Sequence, residues 1–453
     1  MNNDKKSGYK SINTPVCDFL NTYAESGAVR AHMPGHKGNA FVGGEEYDVT
    51  EIDGADSLYF ADGIIRESEK NAGRLFGANT FYSTEGSSQC VKAMLRLISV
   101  YALQKGEKPL VLAARNVHGS FLSAVNLLRI NVEWTGKTNG YLSCETKPAE
   151  VEKQIIKLKP TALYVTSPDY LGKIADIAAL SAVCKKHGVL IAVDNAHGAY
   201  LKFLTPSRHA ITLGADVCAD SAHKTLPVLT GGAYLHVSHD APEILMSEAK
   251  RALLLFGSTS PSYLVLSSLD RTNAYLADGY TEKLAKFCKE VENLKNTLVS
   301  AGYTLYGDEP LKIAIDANGY GYNGKRLAKH LYADGIVTEF SDERFTVFMF
   351  TPENSREDLK KIEKSLLALP KKPQINDLYE DFSLPKRKMQ PYEAFERPFE
   401  ILPTREALGR TVCEATVKCP PATVLVAGGE ILDEPTVKRL IRYCYNEIKV
   451  IKE

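Results

Sequence analysis

The clearest signal along the chain is an alternation of short unbroken apolar runs with longer amphipathic stretches, beginning at Pro109. The runs Leu110–Ala113, Asn131–Trp134, Ala162–Thr166 and Val189–Val193 predict strands, and His118–Leu128, Ala149–Leu158 and Ala175–His187 predict helices between them. Strands that are apolar throughout, rather than at every second position, lie in a sheet covered on both faces, as parallel sheets with helical crossovers are. Ala215–Ala219 and Gly232–His236 continue the series. The pattern predicts an α/β large domain: three layers around a mostly parallel sheet.

Before this region, Ser11–Val29 and Gly63–Phe76 have helical spacing and Phe81–Thr84 reads as a strand. A helix then opens at Glu85-Gly86-Ser87-Ser88 and runs through Val91, Met94, Leu95 and Ile98. After the sheet region, one helical stretch is expected from about Ser262 to Leu298. The order then changes: strand Leu311–Asp316, helix Gly324–Ala333, strands Ile336–Phe340 and Thr346–Phe350, helix Ser355–Leu367, which reads as a smaller α+β domain. Pro370–Pro403, dense in Pro, Lys and aromatic residues, reads as an extended connector, and a last helix is expected over Glu434–Glu447. The expected division is an N-terminal segment over 1–62, a large domain over 63–275, a small domain over 276–370, a connector over 371–405 and a C-terminal α+β block over 406–453.

Composition narrows the function classes. Lys+Arg and Asp+Glu are both 55, so no basic field is present to attract nucleic acid. The start, MNNDKKSGYK, lacks the apolar core of a signal peptide and no run approaches a membrane span, which predicts a soluble, cytoplasmic protein. The nine cysteines include no CxxC pair and no zinc spacing; they are expected to be reduced, with no metal site.

Candidate chemistry sits at the strand ends, where open α/β sheets bind their ligands. Lys224, in Ser221–Leu226 (SAHKTL), follows a strand; it is either a lysine used covalently or a solvated one. Ser87 and Ser88 open a helix whose unpaired N–H groups suit an anion, or else simply cap it. Arg115–His118, Ser167–Asp169 and Asp194–Gly198 are further polar strand ends. Asp194, directly after VLIAV, is costly to bury unless it meets a cation or a ring N–H; capping a helix is its default role. Arg30–Asn39 (RAHMPGHKGN) either holds an anion or turns a corner. Pyridoxal phosphate uses all four kinds of group: a lysine for its aldehyde, donors for its phosphate, a carboxylate beside its ring nitrogen and a ring to stack on.

The segments HMPGHKGN, TEIDGADSL, EGSS, RNVHGS, VDNAHGA, SAHKTL, STSPSY and the late CPP…GGE, in this order over nearly the whole chain, resemble the bacterial ornithine/lysine/arginine decarboxylase family, in its compact form without an N-terminal wing domain. The resemblance implies an aspartate-aminotransferase-like fold (fold type I), pyridoxal 5'-phosphate as cofactor and decarboxylation of arginine, lysine or ornithine to a diamine or agmatine. It implies a homodimer with shared active sites, or a higher oligomer, the MPGHKG loop lying near the subunit interface. Lys224 would hold the cofactor as a Schiff base, Asp194 would pair with its ring nitrogen and His118 would stack on the ring. Ser87, Ser88, Ser221 and His223 would bind the phosphate, Thr259 or Ser260 would reach it from the neighbouring subunit, and Ala196 and His197 would line the ring. Lys224 or His223 would return the proton to Cα. Asp56 and Glu414 are the candidates for holding the substrate's distal cation.

The sequence also departs from the family pattern. The usual DEAHG reads Asp194-Asn195-Ala196-His197-Gly198, paired aspartates read Asp56-Ser57, Glu85 stands where asparagine is common, and a proline-glycine element reads Pro420-Pro421-Ala422-Thr423-Val424. These departures bear on which side chain the substrate carries. Two other readings share the features: an aminotransferase or lyase of the same fold, and a non-catalytic relative kept for binding. The mark of the latter would be loss of Lys224 or Asp194, and both are present.

Overall fold

The expected alternation holds from Leu110 to Asp194, each element within about three residues of its predicted ends. The computed structural model describes residues 12–139, 142–376, 384–416 and 423–453. Its strands are β1 (Asn79–Ser83), β2 (Leu110–Ala114), β3 (Asn131–Thr135), β4 (Lys137–Asn139), β5 (Ser143–Glu145), β6 (Ala162–Thr166), β7 (Leu190–Asp194), β8 (Val217–Asp220), β9 (Ala233–Val237), β10 (Thr304–Tyr306), β11 (Lys312–Asp316), β12 (Phe340–Ser341), β13 (Phe345–Met349), β14 (Phe399–Pro403) and β15 (Glu447–Ile451). Its helices are α1 (Pro15–Glu25), α2 (Ile64–Phe76), α3 (Ser87–Gln104), α4 (Gly119–Leu128), α5 (Pro148–Leu158), α6 (Ile177–Lys186), α7 (Ala222–Thr225), α8 (Glu243–Ser247), α9 (Ala249–Leu254), α10 (Tyr263–Ala277), α11 (Tyr280–Ser300), α12 (Gly324–Ala333), α13 (Arg356–Leu367), α14 (Pro391–Phe395) and α15 (Glu434–Arg442). Among the described residues no helix is long and apolar enough to cross a membrane.

The main sheet has seven strands in the order β1-β9-β8-β7-β6-β2-β3. β2 runs parallel to β3 and β6, whereas β9 is antiparallel to both β1 and β8. All five residues of β7 and all four of β8 are buried, as strands covered on both faces require.

By packing, the chain divides into two compact units. The first, residues 1–97, 194–290 and 350–355, contains β1, β8 and β9 with α1, α2 and α10 packed on one another. Its core includes the ring of Phe76 against Phe203, His209, Tyr234 and His236. The second, residues 98–193, 291–349 and 356–453, holds the parallel strands, the antiparallel sheet β10-β11-β13-β12 and the β14-β15 pair. Val412, Leu425, Val426, Leu440, Ile448 and Val450 form one of its cores.

Three expectations give way. The stretch from Ser262 is two helices, because the chain breaks at Asp278-Gly279, with Gly279 at φ +70, a conformation a continuing helix does not contain. The last helix stops at Arg442 and the chain returns as β15 to pair with β14, a strand that lies within 371–405 together with α14. Of Ile336–Phe340 only Phe340 enters a strand; Ile336 instead folds back on α12 through its N–H to the Leu331 carbonyl.

Candidate active site

Lys224 owes its place to one turn of helix. β8 ends at Asp220, Ser221 takes a non-helical conformation, and α7 follows, with the Lys224 N–H donating to the Ser221 carbonyl at 3.0 Å. His223 is anchored twice to the strand that comes next: its N–H and its Nδ1 both meet the Gly232 carbonyl, at 3.2 and 3.0 Å. The turn thus presents Lys224 half-buried, with Nζ 3.1 Å from Nε2 of the buried His197. Burial is the main cause that lowers the His223 pKa, and the adjacent Lys224 adds to it, so the imidazole is neutral at neutral pH. With Nδ1–H committed to a carbonyl, its Nε2 is the basic atom.

The expected phosphate donors meet in the same unit. Ser221 Oγ donates to Ser87 Oγ at 2.6 Å, joining the start of α7 to the start of α3. The Gly86 N–H donates to the Gly231 carbonyl at 2.7 Å, which fixes the entry to α3. Gly86 has φ +71, and a Cβ there would stand 4.0 Å from the Ser88 nitrogen, in the space before the helix N-terminus. Behind this turn, Ser83 Oγ donates to Gln89 Oε1 and the Gln89 amide donates to Tyr59 Oη and the Leu253 carbonyl, each at 2.8 Å. Glycine before an eighteen-residue helix, with two hydroxyls beside its start, offers the N–H and O–H donors that a phosphate needs.

Asp194 ends β7 and is 3% exposed, its Oδ1 accepting from the Ala196 N–H at 3.3 Å. The neighbouring strand end is tied in by the Asn195 N–H, which donates to the Ala219 carbonyl at 2.9 Å. A buried carboxylate, a lysine, a histidine and an anion cradle are therefore supplied by the ends of two strands and the starts of two helices. This donor set fits pyridoxal phosphate.

The other expected residues have the following surroundings. His118 belongs to the second unit and caps α4, its Nδ1 accepting from the Ser120 N–H at 3.1 Å. Thr259 and Ser260 are exposed. The Asp56 carboxylate accepts from the N–H groups of Asp62, Gly63, Ile65 and Arg66, so it organises the start of α2. Glu414 pairs with Lys449 at 2.6 Å, both partly exposed. Ser57 donates to Glu51 at 2.8 Å, and Glu85 is exposed. Cys419, Pro420, Pro421 and Ala422 lie outside the described residues.

Sequence reasoning missed two features. Arg115 is buried and makes a two-pronged pair with Glu430, 2.7 and 2.6 Å, while its Nε donates to the Val424 carbonyl at 2.7 Å. Both residues stand in the RNVHGS and GGE segments, but nothing in either says they meet. The second is Asp220, which receives Asn195, His209 and His236.

The solved structures similar to this chain include three lysine decarboxylases. LdcF of Francisella novicida aligns with a TM-score of 0.80 at 17% identity, covering 97% of this chain and 81% of that one. Lysine decarboxylase A from Pseudomonas aeruginosa also gives 0.80, at 18% identity over 97% and 80%. At these identities the likeness establishes the fold, shared more distantly with a NifS-like protein at TM-score 0.55 over 70% of this chain and 92% of that one. In sequence, an arginine decarboxylase of Bacillus subtilis is 27% identical over 95% of this chain and 93% of its own length, and an uncharacterized Bacillus subtilis protein, YaaO, is 28% identical over 95% and 94%. The family model for the Orn/Lys/Arg decarboxylase major domain matches residues 14–314, which include the strand ends, the cradle and Lys224, and the chain belongs to the Orn/Lys/Arg decarboxylase family.

Proposed function

We propose that this protein is a pyridoxal-phosphate-dependent decarboxylase that converts a basic amino acid, arginine, lysine or ornithine, to carbon dioxide and the corresponding amine. The observation that carries this reading is the meeting of Lys224, His197, Ser87 and Ser221 around one strand end in a chain of this family. Lys224 would hold the cofactor covalently through Nζ. Ser87, Ser88, Ser221 and His223 hold the phosphate, and Asp194 keeps a proton on the ring nitrogen, since a buried carboxylate stabilises a cation beside it. Ala196 and His197 line the ring, and His118 keeps the stacking role that the family resemblance implies. When bound, the cofactor supplies the electron sink for the pair left by departing carbon dioxide. Lys224 Nζ, once free, would deliver the proton to Cα; the alternative donor, His223, must first take up a proton on Nε2 from the incoming substrate ammonium. Thr259 and Ser260 lie exposed, as they must if they complete the site of a neighbouring subunit in a dimer.

The test is a product assay. The protein loaded with pyridoxal phosphate is given arginine, lysine and ornithine separately, and carbon dioxide and amine are measured. Equal amounts of both from one of the three are expected. A keto acid in their place would make the protein a transaminase, and no turnover of any of the three would remove the basic-substrate reading.

A further inference from the structure

We propose that Asp220 is a positioning residue of the active site: paired with Asn195, it locks the turn that carries Asp194 to the strand end that carries Ser221. The inference rests on the pyridoxal-phosphate reading above.

Asp220 is the last residue of β8 and is wholly buried. Its Oδ1 accepts from Asn195 Nδ2 at 2.7 Å and from Cys218 Sγ at 3.4 Å; its Oδ2 accepts from Nε2 of His209 at 2.9 Å and of His236 at 3.2 Å. The other ring nitrogens are spoken for. His209 Nδ1 accepts from the Ile211 N–H at 3.3 Å, and His236 Nδ1 lies 2.9 Å from Thr80 Oγ1. Both histidines can therefore give their Nε2 protons to Asp220 as neutral rings. Burial alone would raise the pKa of Asp220, but the two histidines hold it well below the usual carboxylate range. The result is an ionised carboxylate, sealed from water, whose donors converge from several separate segments of the chain.

Asn195 is pinned from its other side. A Cβ on Gly198 would fall 2.0 Å from Asn195 Oδ1, and the Gly198 N–H donates to the Asn195 carbonyl at 2.7 Å. Asp194 and Ala196 flank a residue whose side chain packs closely on Gly198, while Ser221 follows the residue it is tied to. The family's usual glutamate at position 195 would place a second carboxylate beside Asp220, and two buried carboxylates in contact cannot both ionise. Asn195 and Asp220 are thus a matched pair, and the departure at 195 belongs to the support beneath the cofactor.

The experiment compares the unmutated protein with Asn195→Asp, Asp220→Asn and the swapped double variant. The dissociation constant for pyridoxal phosphate, the visible absorbance maximum of the bound cofactor and the unfolding midpoint of the cofactor-free protein are measured. In the swap, the amide now at position 220 still accepts from both histidines through its oxygen and donates to the carboxylate now at position 195. Each single change is expected to weaken cofactor binding roughly tenfold or more and to shift the absorbance maximum, because Asn195→Asp sets two carboxylates against each other and Asp220→Asn removes the buried charge to which both histidines donate. The swap is expected to return binding to within about threefold of the starting protein, the signature of coupled neighbours. If Asp220→Asn does not fold, Asn195→Asp and the swap still carry the comparison. Losses that add in the double variant, or single variants that bind as the parent does with an unmoved absorbance band, would overturn the pairing. So would stoichiometric zinc in the purified protein that disappears in Asp220→Asn, which would make His209, Cys218 and Asp220 metal ligands. Failure of the unmutated protein to take up pyridoxal phosphate would sink the functional reading itself, and the pairing's role with it.

Discussion

At the scale of single residues, what was legible in the sequence was what a short motif states. Ser87 opens α3, Asp194 ends β7 and Lys224 lies in the turn of helix after β8, and the roles proposed for them come from their residue types. Asp220 was not legible, because its meaning lies in His209, His236 and Asn195, which approach it from different segments of the chain. Asp270 was hidden for the same reason. It is buried on α10, where it accepts from the Val16 and Cys17 N–H groups at the start of α1, each at 3.0 Å, and from Ser68 Oγ at 2.5 Å. Burial, offset by those hydrogen bonds, raises its pKa to about 6. A carboxyl whose folded pKa is raised favours folding below its unfolded pKa, and that contribution is lost as pH rises through about 6. Asp270→Asn can accept from both backbone groups with its oxygen and lacks the titration. Its unfolding free energy relative to the unmutated protein is expected to increase by about 2 kcal/mol between pH 4 and pH 8. Denaturant titrations across that range check it, and a difference that does not change with pH would refute the assignment. For His223, replacement by glutamine is expected to lower turnover by roughly a hundredfold or more if Nε2 relays the proton to Cα, and to weaken cofactor retention instead if the side chain serves mainly the phosphate.

At the scale of elements, periodicity located the helices and buried strands but not what joins them. The pairing of β14 with β15 joins segments more than forty residues apart, and Gly279 reads as one tolerated glycine until its backbone angle is seen. The Arg115–Glu430 pair is of this kind, since it fastens the end of β2 to the turn that follows Val424. Removing one partner of a buried pair leaves a charge in the dry interior, so Arg115→Met or Glu430→Gln is expected to cost about 3–5 kcal/mol. Replacing both with apolar residues is expected to cost less than the sum of the single changes. Urea unfolding of the three variants measures this; strictly additive costs would mean the two residues act independently. Asp56→Ala removes four backbone hydrogen bonds at the start of α2, and a stability loss of about 1–2 kcal/mol is expected.

At the scale of the whole molecule, fold class was readable early because unbroken apolar strands alternating with amphipathic helices have few packing solutions. The division into packed units was not, because each unit gathers three separated stretches of chain. The first unit exposes Val29 at 93%, Phe41 at 80% and Val42 at 96%, around the MPGHKG loop. Apolar side chains this exposed are the kind that a protein contact covers. A dimer is therefore expected in sedimentation, and Val42→Lys is expected to shift it toward monomer and to lower cofactor retention if Thr259 and Ser260 act across the interface.

All of this turns on one lysine. The loaded protein is reduced with borohydride, digested and examined by mass spectrometry. The account predicts a pyridoxyl group on the peptide that contains Lys224 and none in Lys224→Ala protein; a pyridoxyl group on a different lysine, or an unchanged yield in the variant, would contradict it.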